Sequence, residues 1–288
     1  MTAATSTVPS VSRLVRGLER VAPALAAEAA YALWVSPGKR VPVHPTERPT
    51  MDDATVRFVT VRGHRVATYE WGSGPRTVLL VHGWQSRASA FAPLVRELRG
   101  SGRRVIAFDA PGNGRSTGAR TDVRDYAAII SELEPADGYE AIIAHSFGTP
   151  AAALAIRTGT RTSRLVTVNG AADFEYLLSR FGGTFGLTPR MLRAVRARTE
   201  RRLFRGMTDI WNRFSATSSP LPARIPWLVL HDEDDAVIDV SQAHSLVAAN
   251  PESTRLVLTS GLGHNRPLRD DAVLDRIVGF VDGEPALD

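Results

Sequence analysis

The sequence predicts an α/β fold in which a mostly parallel β-sheet carries helices on both faces. Short, almost wholly apolar runs recur along the 288-residue chain, and helical segments separate them. Strands that are buried on both faces of a parallel sheet have this apolar character. Alternation of such strands with helices is typical of parallel sheets. A chain of this length often forms a single unit of that class.

The first two predicted strands form an antiparallel hairpin. Residues Val56–Val61 and Arg65–Glu70 alternate apolar and polar side chains on either side of Gly63-His64, and a period of two is typical of half-buried strands. Further strands bring the predicted sheet to eight. They are Val78–Val81, Val105–Phe108, Ala141–Ala144, Leu165–Val168, Trp227–Leu230 and Arg255–Leu258.

Helical segments lie between and after these apolar strands. Right-handed crossovers between parallel strands place such helices against the faces of the sheet, so we expect helices on both faces. The predicted helices are Ser89–Arg99, Val123–Leu133, Phe147–Arg157, Ser241–Ala249 and Ala272–Val281.

One connection is too long to be a simple crossover. The chain runs from Gly170 to Pro226 between two predicted strands, whereas crossovers need far fewer residues. We predict a helical cap at about residues 171–222, inserted before the strand at Trp227–Leu230. The cap contains the glycine-rich Phe181–Gly186 and an arginine-rich helix at Pro189–Arg205. We expect the arginines to form a solvated face, with recognition of an anionic substrate or a membrane as the alternative.

The first fifty residues differ from the rest, and we predict an N-terminal helical extension and linker at 1–50, followed by the α/β domain at 51–288. Apolar residues from Val11 through Leu14 to Val21 recur at helical spacing and predict an amphipathic helix before Pro23. The prolines of Ser36–Pro49 indicate an extended linker. We expect the helix to dock on the main domain, and its apolar stripe leaves membrane or dimer contact as alternatives.

The charge of the chain does not favour a nucleic-acid partner. The formal net charge is +5 and the isoelectric point is about 10.2, but Lys39 is the only lysine and the arginines are scattered. A nucleic-acid footprint usually clusters its basic residues on one face. We therefore expect a small-molecule substrate and no nucleic-acid partner, and we leave the oligomeric state open.

The composition also excludes several kinds of site. The absence of cysteine excludes disulfides, thiol nucleophiles and cysteine metal sites. No apolar run reaches the roughly 18 residues of a transmembrane helix, and Glu28 interrupts the apolar run Val21–Val35, which begins too far along the chain for a signal peptide. We expect a cytoplasmic protein. No histidine pair shows metal-ligand spacing such as His-x-x-x-His, so we expect neither a metal nor another cofactor.

The strongest chemical signal is Ala144-His145-Ser146-Phe147-Gly148, between an apolar strand and a helix. A nucleophile at a sharp strand-to-helix turn requires this context, and the residues two before and two after the serine must be small. Ala144 and Gly148 meet that requirement, although glycine is usual at the first of the two positions. The position at a helix N-terminus also favours developing negative charge near Ser146.

A second motif brings a family resemblance. Val81-His82-Gly83-Trp84 ends a buried strand, and the glycine-rich Phe108–Ser116 ends another. With the Ser146 motif, these segments resemble the α/β-hydrolase fold family, in particular its serine esterases and lipases. The resemblance covers about 56–281. It implies an α/β-hydrolase fold and an oxyanion hole formed by the backbone N–H groups of Trp84 and Phe147. We expect Asp109 to be structural.

The resemblance also supplies an acid and a base. His231–Ile238 resembles the family segment His-Gly-x-x-Asp-x-x-Val, which implies Asp235 as the acid. Asp234, Asp232 and Asp173 remain alternatives, because local motifs fix order better than position. His264 follows the last predicted strand in a Gly-x-Gly-His loop. The order serine, acid, histidine is that of the family.

These residues together predict a serine hydrolase. His264 would remove the Ser146 proton, Asp235 would orient the imidazole, and an acyl-enzyme would form. Apolar residues near the cap favour a small or medium apolar carboxylic ester. Hydrolysis of a carbon–carbon bond, thioester or lactone uses the same triad and stays open, as does a catalytically silent binding protein. The expected substrate-binding residues are His82, Gly83, Phe174, Tyr176, Phe181, Phe185 and Trp211.

Overall fold

A computed structural model describes residues 8–283, and its centre is an eight-stranded sheet. The strands lie in the order β1-β2-β4-β3-β5-β6-β7-β8. Their bounds are β1 Thr55–Val61, β2 His64–Trp71, β3 Thr77–Val81, β4 Arg104–Phe108, β5 Ala141–His145, β6 Leu165–Val168, β7 Trp227–Asp232 and β8 Thr254–Thr259.

The pairing of the strands confirms the predicted mostly parallel sheet. Strand β2 pairs antiparallel with both β1 and β4, and every other pairing is parallel. Strand ends differ from the predicted ends by at most two residues. The prediction succeeds because the central strands are apolar throughout and all residues of β3 and β5 are buried.

Helices cover both faces of the sheet. Successive residues of a strand point to opposite faces, and here Val78 and Leu80 belong to one apolar core while Leu79 and Val81 belong to the other. The helices are α1 Val8–Val21, α2 Pro23–Val35, α3 Arg48–Asp52, α4 Ala92–Gly100, α5 Val123–Glu132, α6 Gly148–Arg157, α7 Phe174–Phe185, α8 Pro189–Arg198, α9 Ile210–Arg213, α10 Ser241–Ala249 and α11 Asp271–Asp282.

The two cores contain different helices. Leu94 of α4 and Ile277 of α11 pack in the core that holds Val78, whereas Ile129 of α5 and Ala152 of α6 pack in the core that holds Leu79. Full burial of a Leu or Ile side chain contributes about 1.5–3 kcal/mol. The sheet is thus fixed from both sides, and the loops at the carboxyl ends of its parallel strands start from rigid positions.

The connection between β6 and β7 holds the cap as three helices, α7 to α9, with a wider π-helical turn at Thr199–Leu203. The glycine-rich Phe181–Gly186 lies mostly inside α7, which ends at Phe185 and is capped by Gly186 in the left-handed conformation. A Cβ atom at Gly182 would lie 2.9 Å from Leu192 Cδ1. Gly182 therefore serves close packing of α7 against α8.

The N-terminal extension contributes two long helices, of which the sequence had predicted one. Helix α1 packs against α7, and α2 packs against α8. The predicted linker is only partly extended, because helical turns begin at Pro45 and continue to Asp52. The side chains of Val11 and Leu14, and residues 1–7 and 284–288, lie outside the described part of the chain. Among the helices that the structure describes, none has both the length and the apolar character needed to cross a bilayer.

Candidate active site

Ser146 lies at a tight turn between β5 and α6. Its φ is +54°, in the left-handed region that side-chain-bearing residues rarely adopt. A Cβ at Gly148 would lie 2.6 Å from the Val81 carbonyl oxygen. A Cβ at Gly83 would lie 2.8 Å from that of Ser146. Both glycines are thus required by close backbone approach, as a nucleophile elbow demands.

The structure brings three predicted residues from separate loops into one line. The His264 Nε2 atom lies 3.1 Å from Ser146 Oγ, and His264 Nδ1 lies 2.7 Å from Asp235 Oδ2. The Asp235 side chain is fully buried, and that of His264 is 12% exposed. A serine, an imidazole and a buried carboxylate in this order have the geometry of a nucleophile, a general base and an orienting acid.

The Asp235 carboxylate is built to remain charged. Its Oδ1 atom accepts hydrogen bonds from the backbone N–H groups of Val237, at 2.7 Å, and Ile238, at 3.0 Å. Burial alone would raise the pKa of Asp235, but the hydrogen bond and charge of His264 and these two N–H groups outweigh burial, so the pKa lies below its ordinary value. The charged form favours the Nδ1–H tautomer of His264.

The other acids that the sequence left open have different partners. Asp234 accepts a hydrogen bond from the Gly261 N–H at 2.7 Å, and Asp173 caps α7 by accepting one from the Glu175 N–H at 2.8 Å. None of the hydrogen bonds among the described residues joins either carboxylate to His264.

Asp232 fixes the loop that carries His264. Its fully buried carboxylate accepts hydrogen bonds from the Gly263 N–H at 2.7 Å, the Leu262 N–H at 3.1 Å and the Thr259 hydroxyl at 2.8 Å. Burial opposes ionisation, but these donors outweigh it and lower the pKa of Asp232. The family pattern has glycine at this position, so the sequence comparison alone did not indicate the role.

Asn169 makes a second tie to the same loop, and the sequence analysis missed it. Its side-chain Nδ2 donates to the carbonyl oxygens of Gly263, at 2.9 Å, and His264, at 3.0 Å, while its Oδ1 accepts from the Asp232 N–H at 2.9 Å. Asn169 is fully buried and has a φ of +48°. A polar residue directly after a buried parallel strand was the available signal.

His145 supports the site as a neutral residue. Its Nε2 donates to the His264 carbonyl oxygen at 2.9 Å, and the two rings are 4.8 Å apart. Burial, reinforced by the nearby His264, lowers the pKa of His145 to about 3. A second charge beside His264 is therefore avoided at neutral pH.

The two predicted oxyanion donors flank the nucleophile. Phe147 directly follows Ser146, and Trp84 directly follows Gly83, whose backbone approaches Ser146 closely. The Trp84 and Phe147 rings pack edge to face with centroids 5.3 Å apart. Neither N–H donates to an acceptor within the described residues. Both groups can therefore serve a ligand.

Asp109 has the structural environment that was expected. Its fully buried carboxylate accepts hydrogen bonds from the Tyr69 hydroxyl at 2.7 Å, the Ala88 N–H at 2.9 Å and the Arg115 N–H at 2.8 Å. Gly114 leaves the space that this carboxylate fills. These bonds join the loop after β4 to β2 and to the turn before α4.

The predicted substrate-binding residues differ in how deeply they are buried. His82 is 1% exposed, with Nδ1 donating to Gly83 O at 2.7 Å and Nε2 accepting from the Ala110 N–H at 3.0 Å. Phe174 and Trp211 are each 3% exposed and pack in the interior of the cap.

Three others are more exposed. Phe181 and Phe185 are partly exposed, with centroids 4.8 Å apart. The Tyr176 hydroxyl accepts from the Asp239 N–H at 2.8 Å. The phenylalanine pair is therefore the most available apolar surface among the predicted residues.

Comparison with known proteins decides the family. A model of the alpha/beta hydrolase family matches residues 78–276, more than half of the chain. The chain belongs to the alpha/beta hydrolase family. Membership in this family supports a hydrolase activity and leaves open which bond the protein cleaves.

The alpha/beta hydrolase domain-containing protein aho-3 of Caenorhabditis elegans is 27% identical over 182 residues, 62% of this chain and 49% of that protein. The chain thus spans about half the length of this curated relative.

Solved structures of the family share the fold. Mouse alpha/beta hydrolase domain-containing protein 10 aligns with a TM-score of 0.62 at 18% identity, covering 80% of this chain and 98% of that one. The Pyrococcus furiosus esterase Pf2001 gives 0.62 at 18% identity, with 86% and 97% covered. The Vigna radiata epoxide hydrolase VrEH1 gives 0.56 at 15% identity, with 81% and 99% covered. Because an esterase and an epoxide hydrolase share the fold, the fold alone does not select the reaction.

Proposed function

We propose that this alpha/beta hydrolase is a serine hydrolase that cleaves a small or medium apolar carboxylic ester through an acyl-enzyme on Ser146. The observation that carries the proposal is the continuous contact from Ser146 Oγ to His264 Nε2, at 3.1 Å, and from His264 Nδ1 to Asp235 Oδ2, at 2.7 Å. Epoxide hydrolases and dehalogenases of this fold use an aspartate nucleophile, and serine at position 146 disfavours those reactions.

The proposed reaction begins with attack on the ester carbonyl. A serine hydroxyl is a weak nucleophile, so His264 Nε2 takes its proton as the Oγ–carbon bond forms. Asp235 stabilises the resulting imidazolium without taking up the proton. The carbonyl oxygen becomes negative as the tetrahedral intermediate forms. The N–H groups of Trp84 and Phe147 stabilise this charge, and each such donor is worth about 2.7–4 kcal/mol.

The acyl-enzyme then forms and is hydrolysed. His264 donates its proton to the leaving alkoxide oxygen, which departs as the alcohol. A water molecule next loses a proton to His264 and attacks the acyl carbon, and collapse of the second intermediate returns the proton to Ser146 Oγ. Because His145 is neutral, no second positive charge lies beside the His264 imidazolium. The steps consume one ester and one water and release one acid and one alcohol.

Partly exposed aromatic side chains support the choice of substrate. Trp84, Phe181 and Phe185 are partly exposed apolar rings, and ligand pockets are mainly apolar with a few polar anchors. The seven arginines from Arg190 to Arg205 do not alter this choice, because several of them pair with carboxylates of the cap and of α2 or with a backbone carbonyl.

Two measurements test the proposal together. The purified chain should hydrolyse p-nitrophenyl acetate and butyrate, and a fluorophosphonate probe should label it covalently. Ser146→Ala and His264→Ala should each lower kcat by at least about 10⁴-fold, because the members of such a triad act as one unit. Labelling should disappear in Ser146→Ala.

Ser245→Ala is the matched control, because Ser245 is an exposed serine on α10. It should keep both labelling and turnover. Undiminished ester hydrolysis by Ser146→Ala would refute the nucleophile assignment. Covalent labelling of Ser146 without turnover of any ester would instead favour carbon–carbon bond, thioester or lactone hydrolysis. Absence of both labelling and turnover in the folded wild type would favour a catalytically silent binding protein.

A further inference from the structure

The N-terminal extension reaches both the cap and the loops around the candidate active site. Ala26 and Ala30 of α2 are fully buried in the same core as Phe147 and Val195. Glu28 on the same helix forms ion pairs with Arg198 and Arg202 on the cap side. Helix α2 thus packs in the apolar core that also contains Phe147, the residue after Ser146.

Directly after α2, the chain crosses to the oxyanion side of the site. Pro37 packs against Gly112, where an added Cβ would lie 2.7 Å from the proline ring. A Cβ at Gly38 would lie 3.5 Å from the side-chain amide nitrogen of Gln85. Gln85 is the next residue after the proposed oxyanion donor Trp84. The extension therefore lies beside the loop that would hold the substrate carbonyl oxygen.

Trp34 lies between Glu28 and Gly38 in the sequence, and its ring contacts the cap. Its ring centroid lies 5.3 Å from that of Phe181 and 6.4 Å from that of Phe174, both on α7. Trp34, Phe181 and Phe185 are all partly exposed, and Phe185 continues the ring contact from Phe181. Aromatic rings of the extension and of the cap thus form one surface.

The proposed reaction separates the two halves of an ester. His264 gives its proton to the leaving oxygen, so the alcohol departs on the side of the His264 loop, which Asn169 and Asp232 fix. Trp34 contacts Phe174, three residues after Ala171, whose backbone N–H donates to the Ser146 carbonyl oxygen at 3.3 Å. After the alcohol has left, the acyl group remains bonded to Ser146.

We propose that Trp34 is a specificity-determining residue, and that its ring forms with Phe181 and Phe185 the wall that binds the acyl chain of the substrate. This inference rests on the proposed function, because it takes the acyl group to be on Ser146. The family model starts at residue 78, so Trp34 belongs to a segment that the family pattern does not include. A longer acyl chain gains more apolar contact with this wall than acetate does.

The experiment measures kcat/KM for p-nitrophenyl acetate and p-nitrophenyl octanoate with the full chain. Trp34→Ala should lower the octanoate value about tenfold or more and change the acetate value less than about twofold, since only the long chain reaches the ring. Trp34→Phe should restore most of the octanoate preference. If Trp34→Ala does not fold, Trp34→Leu is measured for the same ratio.

Tyr31→Leu is the matched control, because Tyr31 lies about one turn earlier on α2 and is only 3% exposed. Its loss should lower the unfolding temperature without changing the octanoate-to-acetate ratio. An unchanged ratio in folded Trp34 variants would overturn the inference, and so would an equal change in Tyr31→Leu.

Failure of the proposed function has a different signature. If the wild type hydrolyses neither ester, the preference for a long chain is measured instead by comparing the rates at which ethyl and octyl fluorophosphonates label Ser146. Loss of octyl preference in Trp34→Ala would support the acyl wall even then. Equal octyl preference in the wild type and the variant would overturn it.

Discussion

The sheet-edge loops and the cap are stabilised by different interactions. In the loops, buried carboxylates and amides hold backbone groups, as Asp232 holds Gly263 and Asn169 holds the His264 carbonyl. In the cap, aromatic rings meet edge to face and arginines pair with partly exposed glutamates. Buried hydrogen-bond networks fix distances, whereas apolar packing tolerates exchange of one shape for another. Under the proposed function, the loops would determine the chemistry and the cap would determine which substrate fits.

Among the variants that test this comparison, we expect the largest loss of kcat when the proposed triad acid is changed. Asp235→Asn should lower kcat about 10³–10⁴-fold, because the amide disfavours the required His264 tautomer. Asp234→Asn is the matched variant one residue away and should change kcat less than about threefold. Steady-state kinetics on p-nitrophenyl butyrate distinguish them. A larger loss in Asp234→Asn would transfer the role of acid to Asp234.

An intermediate effect is expected from the carboxylate that holds the histidine loop. Asp232→Asn should lower kcat about tenfold and the free energy of unfolding by about 1–3 kcal/mol, because an amide group would face backbone donors that the carboxylate accepts. The lowered pKa of Asp232 sets the pH dependence. Its charged form stabilises the fold above the ordinary carboxyl pKa of 3.8, and that contribution is lost as the pH falls further.

Denaturant unfolding of both proteins between pH 7 and pH 3 measures this contribution. The stability difference between the wild type and Asp232→Asn should be constant near neutrality and shrink below pH 3.8. A difference that grows at acid pH would contradict the role given to Asp232. Thr259→Val, which removes one of its donors, should have a smaller effect of the same kind.

The smallest catalytic effect is expected in the cap interior. Phe204 is fully buried, and its ring lies 5.1 Å from that of Phe214. Phe204→Leu should lower the free energy of unfolding by about 1–2 kcal/mol and leave kcat for p-nitrophenyl acetate within twofold. Thermal unfolding and acetate kinetics test both parts. A tenfold loss of kcat in a folded Phe204→Leu protein would contradict the division between chemistry and substrate fit.

The sheet and its nucleophile turn were predictable because their signals are local. An apolar run such as Leu165–Val168 is buried on both faces, and the small residues around Ser146 reflect one tight turn. The fold, the strand bounds and the family were therefore available from the sequence. The juxtaposition of Ser146, Asp235 and His264 followed from the order of the motifs once the resemblance was recognised.

The missed features depend on contacts between distant segments. Helix α2 has no amphipathic pattern, since Ala26, Ala27 and Ala30 are buried while other apolar residues, such as Leu25, are exposed. The role of Asn169 requires that the β6 loop meet the β8 loop. Neither the packing of α2 nor the contact between the β6 and β8 loops is encoded within a short window of sequence, so periodicity and motif spacing could not indicate them.

The antiparallel pairing of β2 with β4 has a practical consequence for making shorter versions of this protein. A fragment trimmed to the family match at 78–276 would lack β1 and β2. The backbone N–H and C=O groups of β4 that pair with β2 would then be exposed as an open edge. Such edges recruit strands from other molecules and promote aggregation. Expression boundaries should therefore be chosen from the complete sheet and the helices packed on it.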